Sequence, residues 1–493
     1  MEDRYIVSID LGTFKIALAV ACVSGNDTRI VYYKETPANG MRSSRILNEN
    51  KVAQPLRQAI SDAEDILGIK ITGAVLGMPR FYVRMEENSA RIEREEDSYI
   101  TEEEIEDLKN FAQDSYPVED PEHETVYGAI AQSFSTEEEF QLIEDDVVGM
   151  SGRKLEGNFK VFIGNKSSLD RIDRVMKTLG IVAMKKYFVP RLTASATLFP
   201  SEMENGVALI DFGGGCTSLS IYYKNVLRYY SSIPFGGMNI TKDIQMESKT
   251  KLSLAENIKL AYGACMPEKL QNLSEKQLLL KSENGEADKR LTVKYLSEII
   301  TAREEEIIRA MLYEIGRSNF ADKLQNGIVI TGGGAQMTNL ANFITELSGY
   351  AVRVGRPSFR GVFNCCTGLC SPSATTTVGL VMAARELGAS CAFSKESAAA
   401  EETPKETSEP TEQEHAGGIL PGMMTDEEIA EKNRLEEEKK RKELERQAQK
   451  PRRRSKFNAF WDRAKKVSHD LGESFGKEGG KLLDLVNNGE EQE

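Results

Sequence analysis

The most constraining feature of this chain is a repeated pattern: a short apolar strand ends in an acid, turns through glycine and returns as a second strand. The pattern occurs first at Tyr5–Lys15 (YIVSIDLGTFK) and again at Val207–Thr217 (VALIDFGGGCT). The two acids, Asp10 and Asp211, are 201 residues apart (211 − 10). A repeat of that length indicates a duplicated domain rather than a solenoid.

Turns of this kind favour phosphate binding. Glycine has no Cβ to keep a bulky anion away from the backbone, and successive amide N–H groups can cradle a phosphate. Magnesium prefers oxygen ligands and keeps several of its waters, so an acid beside each turn suits Mg²⁺ held through water. A single Gly-Gly-Gly hairpin would indicate no more than a β-turn. The repetition favours two hairpins that clamp one triphosphate from both sides of a cleft.

A third glycine turn follows another apolar strand, at Gly327–Ala335 (GIVITGGGA). Glycines at that point would let an adenosine lie against the backbone. Two Asp-Gly hairpins followed by a late Thr-Gly-Gly-Gly resemble the superfamily of actin, sugar kinases and heat-shock chaperones. Glu256 and Lys259 fit the Glu-x-x-Lys pair with which the chaperone branch holds adenosine.

Three further segments narrow the resemblance to one family. Val148–Gly152 (VGMSG), Ile233–Asp243 (IPFGGMNITKD) and Ala255–Gly263 (AENIKLAYG) resemble FtsA, the actin-like bacterial division proteins. The resemblance covers roughly the first four-fifths of the chain, and its general layout continues to the C-terminus. It implies an α/β fold of the actin-like, two-lobed ATPase type, a duplicated domain with an FtsA-type 1C insertion, a disordered linker and a C-terminal amphipathic helix.

The resemblance and the changes in composition together predict the domain organisation. We expect a first lobe (1A) at 1–82, a 1C-like subdomain at 83–165, and the rest of the first lobe with the connecting helix at 166–205. The second lobe would follow at 206–388, with a helical insertion at about 238–326. A disordered, charged linker at 389–450, a membrane-targeting helix at 451–476 and a tail at 477–493 would complete the chain.

The resemblance implies ATP and Mg²⁺ as cofactors. Mg²⁺ would be held by Asp10 and Asp211 through water. The residues expected to bind the nucleotide or the metal are Asp10, Gly12, Thr13, Lys15, Asp211, Gly213, Gly214, Gly215, Thr217, Gly237, Glu256, Lys259, Gly332, Gly333 and Gly334.

Three positions depart from the family pattern. Cys216 stands where a threonine usually follows the glycines, which leaves Thr217 as the hydroxyl there, and Met238 replaces a more usual acid. Val189 precedes Pro190 where relatives usually carry a glutamate. A valine cannot orient a water molecule, so the sequence favours ATP binding and leaves hydrolysis, and with it an enzymatic activity, as an open question.

Charge and cysteine content limit the other possibilities. The net charge of −14 argues against a general nucleic-acid binder. The absence of an apolar run of about twenty residues and of a signal-like N-terminus leads us to expect a cytosolic protein. Seven cysteines do not form a disulfide framework in so long a chain. We interpret Cys365, Cys366 and Cys370 as buried or reduced thiols rather than as a metal site.

The C-terminal segment has a pattern of its own. At 100° per residue, an apolar stripe runs along Ser455–Phe475, and a basic run precedes and flanks it. Aromatic side chains on one face and bases on the other are typical of a helix that lies in a membrane surface, although a helix docked on the protein's own core or on a calmodulin-like partner would also be amphipathic. The residues expected to meet lipid include Arg452, Arg453, Arg454, Phe457, Phe460, Trp461, Lys465, Lys466, Val467 and Leu471.

The FtsA resemblance implies the partners and the location. It implies that the chain anchors filaments of the tubulin-like FtsZ to the cytoplasmic face of the bacterial inner membrane at the division site. It also implies contacts with anionic lipids, other division proteins and further copies of itself, in an actin-like polymer or dimer. We expect Arg303, on the exposed side of a long helix, to bind the C-terminal tail of FtsZ. A pilus-assembly adaptor, an MreB-like scaffold and a small-molecule kinase remain alternatives within the superfamily.

Overall fold

The structure is a computed structural model that describes residues 3–280 and 289–394. The chain divides into two units, 1–404 and 405–493, and the described residues all lie in the first. The predicted membrane helix at 451–476, the tail at 477–493 and most of the predicted linker fall outside the described residues.

The chain opens with the predicted hairpin and a long helix. The elements are β1 (Arg4–Leu11), β2 (Lys15–Ser24), β3 (Asp27–Pro37), β4 (Met41–Arg42), β5 (Arg45–Ile46), α1 (Glu49–Leu67), β6 (Ile69–Ile71) and β7 (Gly73–Gly77). β1 pairs antiparallel with β2, and Asp10 lies opposite Ala17. β7 runs parallel to β1 on its other side, so the chain leaves β1 and β7 at the same edge of the sheet.

The insertion that follows is a three-stranded antiparallel sheet with one longer helix. Its elements are β8 (Arg84–Tyr99), α2 (Glu102–Asp114), β9 (Glu124–Ser135), α3 (Glu144–Val147) and β10 (Ser151–Asn165), and the strand order is β8-β10-β9. A capping box begins α2, in which the side chains of Thr101 and Glu104 each accept a hydrogen bond from the backbone N–H of the other. Phe134 and Phe159 meet edge to face, with ring centroids 6.0 Å apart, in a core that belongs to the insertion itself.

The first lobe then resumes with α4 (Lys166–Leu179), β11 (Val182–Tyr187), α5 (Val189–Thr197) and α6 (Pro200–Asn205). β11 pairs parallel with β7. Pro190 lies in the first turn of α5, where its fixed φ suits a helix start and its missing N–H costs nothing. α5 leads the chain from the first lobe towards the second.

The second lobe repeats the plan of the first. Its elements are β12 (Val207–Phe212), β13 (Thr217–Tyr223), β14 (Val226–Ile233), α7 (Gly237–Ser248), α8 (Leu252–Tyr262), β15 (Gln277–Leu280), β16 (Lys289–Thr292), α9 (Val293–Arg317), β17 (Ile328–Thr331), α10 (Leu340–Ser348) and β18 (Val352–Val354). The sheet order is β14-β13-β12-β17-β18. Asp211 lies opposite Ser218, seven residues on, as Asp10 does opposite Ala17, and β12 is parallel to β17.

One difference from the sequence prediction lies inside this lobe. The segment at 238–326 was expected to be helical, but β15 and β16 pair antiparallel within it. The alternation of exposed and buried residues in β15, with Leu278 and Leu280 inward, is the period-two pattern of a strand. The short apolar run was therefore wrongly read as part of a helical segment.

The chain finally returns to the first lobe through β19 (Phe363–Asn364), α11 (Thr375–Ala384) and β20 (Ala392–Ser394). β19 completes a sheet in the order β11-β7-β1-β2-β3-β19. α11 crosses α5 so closely that a Cβ on Gly379 would lie 2.6 Å from the carbonyl oxygen of Leu192.

The end of the fold also corrects a predicted boundary. The linker was expected to begin at residue 389, yet β20 pairs antiparallel with β6, and Cys391 is 1% exposed. The N–H of Cys391 donates to the carbonyl oxygen of Tyr5 at 2.7 Å. The apolar pair Cys391-Ala392 buries itself against the first lobe, so the folded region reaches at least Ser394.

Candidate functional site

A cleft of about 480 Å³ opens between the two lobes. That volume lies within the range of small-molecule sites. All residues predicted to bind ATP or Mg²⁺ line it except Thr217: Asp10, Gly12, Thr13, Lys15, Asp211, Gly213, Gly214, Gly215, Gly237, Glu256, Lys259, Gly332, Gly333 and Gly334. Residues from distant parts of the sequence thus converge on one cavity.

The two acid hairpins face each other closely across this cleft. A Cβ on Gly214 would lie 2.8 Å from the Cβ of Phe14, and one on Gly215 would lie 2.6 Å from the Cγ2 of Thr13. Any side chain at either glycine would push the two turns apart. The third glycine turn lies against the second acid, because a Cβ on Gly332, where φ is +85°, would collide with the Asp211 carboxylate.

The predicted Glu-x-x-Lys pair is formed and is tied to the second glycine turn. The Lys259 ammonium lies 2.8 Å from the Glu256 carboxylate and donates to the carbonyl oxygen of Gly237 at 2.9 Å. Gly237 in turn donates its N–H to the carbonyl oxygen of Gly213 at 3.0 Å. This chain of bonds links the pair on α8, through the first turn of α7, to the turn that follows Asp211.

The prediction for Thr217 is wrong. Thr217 is fully buried at the start of β13, and its hydroxyl donates to the carbonyl oxygen of Phe235 at 2.9 Å. Successive side chains of a strand point to opposite faces, so Cys216, and not Thr217, lines the cleft. Burial raises the pKa of the Cys216 thiol to about 12, so a neutral thiol faces the cavity near neutral pH.

Arg80 is a residue of the cleft that the sequence reasoning missed. Its guanidinium forms an ion pair with Asp211, in which the two side chains are 14% and 9% exposed. Burial lowers the pKa of Arg80, but the acidic groups around it, with Asp211 the strongest, together outweigh burial and the pKa is raised. Burial also raises the pKa of Asp10, against the opposing charges of Arg80 and Lys15.

The position of Arg80 in the cleft could have been predicted from the order of the strands. It follows β7, which is parallel to β1, and ligand sites of α/β sheets lie beyond the carboxyl ends of parallel strands. The loop after β7 therefore comes to the same edge as Asp10. The ion pair with Asp211 joins the two lobes, and the Tyr230 hydroxyl of β14 strengthens the joint by donating to the carbonyl oxygen of Arg80.

Lys15 also has partners that the sequence did not indicate. Its ammonium forms an ion pair with Glu35 and donates to the Ser373 hydroxyl at 3.0 Å. Both partners line the cleft. Lys15 therefore links the first hairpin to the segment that leads into α11.

A second missed residue is Glu304, on α9. It lines the cleft, although only 1% of its surface is exposed. Burial raises the pKa of its carboxyl group to about 8, against the opposing charge of Lys259. The run Arg303-Glu304-Glu305-Glu306 has the composition of a solvated helix face, so an inward-facing acid could not be predicted there.

The positions that depart from the family pattern lie in or beside the cleft. Val189 is 3% exposed and lines a small adjoining cavity together with Asp10 and Arg80. Its methyl group packs so tightly under β7 that a Cβ on Gly77 would lie 2.6 Å from it. Met238 lines the main cleft, and its N–H donates to the carbonyl oxygen of Gly214 at 2.7 Å.

Arg303 borders a groove on the other side of α9, lined by residues that include Met246, Tyr295 and Ile299. The expectation of an exposed guanidinium is wrong, because the side chain is 15% exposed. Asp243 binds it at two points, with distances of 2.6 Å and 3.0 Å. The packing of α7 against α9 brings Asp243 opposite Arg303 and so provides a carboxylate that the sequence did not predict.

Other predictions from the sequence concern metals, thiols and membranes. Across residues 3–280 and 289–394, no group of three or more His, Cys, Asp or Glu side chains is arranged to hold a metal ion. Cys365, Cys366 and Cys370 are free thiols. No helix within the described ranges is long and apolar enough to cross a membrane. The predicted lipid-binding residues, Arg452 to Leu471, lie outside the described residues.

Known proteins resemble this chain in sequence and in fold. A family model described as "Cell division protein FtsA" matches residues 208–379. The cell division protein FtsA of Neisseria meningitidis is 29% identical over 390 residues, which cover 78% of this chain and 91% of that protein. The cell division protein FtsA of Pseudomonas aeruginosa is 28% identical over 383 residues, with coverage of 77% and 89%.

A solved structure supports the fold. The chain is similar to the "PilM-PilN type IV pilus biogenesis complex", with a TM-score of 0.54, 13% sequence identity and coverage of 77% of this chain and 98% of that one. At that identity the likeness concerns the fold alone. The predicted actin-like, two-lobed α/β architecture is confirmed.

Proposed function

From the premise that this chain is an FtsA-like cell division protein with an actin-like fold, we propose that it binds ATP in the cleft and tethers FtsZ filaments to the cytoplasmic face of the bacterial inner membrane. The observation that carries the nucleotide half is the convergence of both acid hairpins, the third glycine turn and the Glu256–Lys259 pair on one cavity. The tethering half rests on the family, on the groove beside Arg303 and on the amphipathic C-terminal sequence.

The described residues fit a nucleotide. A Cβ on Gly12 would lie 2.5 Å from the carbonyl oxygen of Lys15, and one on Gly213 would lie 2.6 Å from that of Cys216. Neither glycine therefore has room for a side chain, and both turns expose backbone atoms to the cleft. Gly12, Thr13, Lys15 and the turn at 213–215 would hold the phosphates. Glu256, Lys259 and the turn at 332–334 would hold the adenosine.

The donor set fits Mg²⁺ bound through water. Magnesium usually takes one or two carboxylates and keeps its remaining waters, and Asp10 and Asp211 both line the cleft. A bound Mg²⁺ ion would neutralise phosphate charge. Arg80 already supplies a positive charge at Asp211, so its guanidinium must give up that carboxylate before the metal can use it.

Calorimetric titration of the full chain with ATP and Mg²⁺ tests this site. We expect saturable binding that weakens at least tenfold in Asp211→Ala, because the variant loses a metal ligand and leaves Arg80 without its partner. Asp173→Ala is the matched control, because Asp173 is a half-exposed acid of α4 that pairs with Lys186 and does not line the cleft. Equal affinities in all three proteins would refute the site.

We propose that ATP is held as a ligand and is turned over slowly or not at all. A general base must lie within hydrogen-bond reach of the water that it activates, and Val189 has no group that can do so. The neutral thiol of Cys216 does not replace it. The nucleotide would then stabilise one arrangement of the two lobes rather than drive a cycle of chemistry.

The FtsZ tail would dock in the groove beside Arg303. The groove combines a guanidinium with apolar side chains, including Met246, which is 69% exposed. A carboxylate of the tail would take over the two-point contact that Asp243 makes now, since Arg pairs with carboxylates in a bidentate manner.

Binding of an FtsZ tail peptide tests this contact. Arg303→Glu should weaken the affinity at least tenfold. Arg309→Glu should leave it unchanged, because Arg309 lies on the same helix, is 60% exposed and pairs only with Glu305 among the described residues. Unchanged affinity in Arg303→Glu would remove the groove from the proposal.

Membrane attachment would depend on residues 451–476, outside the described residues. Apolar area and attraction to anionic lipid both contribute to the binding of such helices, and salt screens the second. Full-length protein should therefore sediment with anionic vesicles better than with neutral ones, and Trp461→Glu should stay in solution. A chain ending at Ser394 keeps β20 and should not sediment. If it sediments as well as the full chain, the anchor lies elsewhere.

The family also supplies further proposed partners. Self-association into an actin-like polymer or dimer would place several anchors on one FtsZ filament. The insertion at 83–165 would offer a surface for later division proteins. The net charge of −14 disfavours nucleic acid as a partner.

A further inference from the structure

Glu304 is a buried acid in the cleft to which the proposed function gives no role. It is 1% exposed, and its Oε2 atom has no hydrogen-bond partner among the residues that the structure describes. Buried polar atoms are almost always hydrogen-bonded, and an exception calls for an explanation such as a missing ligand. Glu304 lines the cavity, so a ligand in the cleft is within its reach.

The cavity that Glu304 lines also has apolar wall residues, Met337 and Ile240 among them. Gly263, in the same lining, has no room for a side chain, because its Cβ would lie 2.3 Å from the carbonyl oxygen of Lys259 and 3.1 Å from the sulfur of Met337. Ligand sites typically pair apolar walls with a few polar groups that fix orientation, and Glu304 provides such a group.

The charged neighbours are already engaged with other partners. Lys259 of α8 faces Glu304 and favours its ionisation, but its ammonium is bound by Glu256 and by the hydroxyl of Thr241. Asp243 of α7 is held by Arg303 on the other side of α9. The thiol of Cys265 also faces Glu304, and burial raises the pKa of that thiol.

Glu304 is therefore a neutral carboxylic acid near pH 7. Burial raises the pKa of its carboxyl group to about 8, and a protonated carboxyl offers one O–H donor beside one carbonyl acceptor. Adenine presents a matching pair on one edge, the N7 acceptor beside the N6 amino donor. Guanine presents two acceptors there, N7 and O6.

We propose that Glu304 reads the base of the bound nucleotide and selects adenine over guanine by donating one hydrogen bond to the base and accepting another from it. This inference rests on the proposed nucleotide function and adds to it the residue that distinguishes adenine from guanine. A bidentate contact of this kind discriminates between bases by about ten- to a hundredfold in affinity.

Two substitutions separate this role from simple packing. Glu304→Gln keeps one donor and one acceptor without a titratable proton, and Glu304→Leu removes both. The experiment measures the affinities of full-length protein for ATP and GTP at pH 6.5 and pH 9 by calorimetric titration. Circular dichroism of each protein at both pH values verifies that it is folded.

The wild type should prefer ATP by about ten- to a hundredfold at pH 6.5, and the preference should shrink at pH 9, because ionisation removes the donor. Glu304→Gln should prefer ATP equally at both pH values, which also controls for titration of the bases and of other side chains. Glu304→Leu should bind the two nucleotides with similar affinity.

The outcomes distinguish this inference from the function on which it rests. Equal wild-type affinities for ATP and GTP at pH 6.5, or a preference that survives in Glu304→Leu, would overturn the role of Glu304 and leave nucleotide binding intact. If Glu304→Leu does not fold, a wild-type preference with no more pH dependence than that of Glu304→Gln would overturn it as well. Failure of all three proteins to bind either nucleotide would instead refute the proposed function.

Discussion

Replacement of Arg80 by methionine tests how the cleft balances its charges. Asp211 as a whole residue is 6% exposed. In its ion pair with Arg80, the Arg80 side chain is 14% exposed and the Asp211 side chain is 9% exposed. At that burial the solvent screens little of the interaction. Removal of one partner of a buried pair costs about 3–5 kcal/mol, because the other charge is left without compensation, and we expect Arg80→Met to lose that much stability.

Urea denaturation of the full chain, followed by far-ultraviolet circular dichroism, measures the loss. The double variant Arg80→Met/Asp211→Asn should recover about 2 kcal/mol or more of it, because contacting residues show coupling of that size. The control is Arg174→Met, which removes a pair with Glu49 in which the side chains are 54% and 28% exposed. That change should cost less than about 1 kcal/mol.

The stabilisation of Arg80→Met by Mg²⁺ provides a second, independent test. In Arg80→Met the two cleft acids, Asp10 and Asp211, lose their nearest guanidinium, so Mg²⁺ should stabilise the variant more than it stabilises the wild type, as any ligand of the native state does. The reasoning is refuted if Arg80→Met loses no more stability than Arg174→Met, or if the double variant is no more stable than Arg80→Met alone.

Three further predictions concern other parts of the fold. Gly379→Val should lower the free energy of unfolding by about 1–3 kcal/mol or more, since its Cβ would meet the backbone of α5. The control Gly316→Ala in α9, with nothing within 4 Å of the new Cβ, should raise the free energy of unfolding by up to about 1 kcal/mol. Equal effects of the two substitutions would contradict the close crossing of α11 and α5. The pKa of the Glu304 carboxyl is near 4.5 in the unfolded chain and is raised to about 8 in the folded one, so the folded state binds more protons between these pH values. The free energy of unfolding of the wild type should therefore fall by about 3 kcal/mol relative to that of Glu304→Gln from pH 4.5 to pH 7. Parallel pH profiles of the two proteins in urea denaturation would exclude the buried acid. Phosphate release from ATP should stay below about 1 s⁻¹, the low end of typical enzyme turnover, because Val189 cannot activate water; a turnover typical of a metabolic kinase would contradict this.

The parts of the fold that depend on local pattern could be predicted from the sequence. The acid hairpins, the third glycine turn and the capping box at Thr101 each combine a strict spacing with a specific residue type. The glycines are required because the turns approach one another within van der Waals distance, as Gly214 does with Phe14. Such constraints require a specific residue type at a single position, so they can be recognised in the sequence alone.

The parts that depend on contacts between distant elements could not be predicted. Arg80 and Asp211 are 131 residues apart in sequence, and the cue that joins them is the parallel pairing of β7 with β1. Thr217 was misassigned because the turn geometry decides which of two neighbouring side chains faces the cleft. Glu304 lies in a charged run whose composition resembles that of a solvated surface, and only the packing of α9 turns it inward.

The strand β20 decides where a mechanical load would enter the molecule. In the proposed arrangement the membrane anchor pulls on the chain beyond Ser394, and among the described residues the force first reaches the short pairing of β20 with β6, backed by the bond from Cys391 to Tyr5. The filament would pull from the groove on α9, in the other lobe. Tension between membrane and filament would therefore pass from one lobe to the other through the crossing of α5 with α11 and through the Arg80–Asp211 ion pair. The cleft between the lobes would bear the same tension.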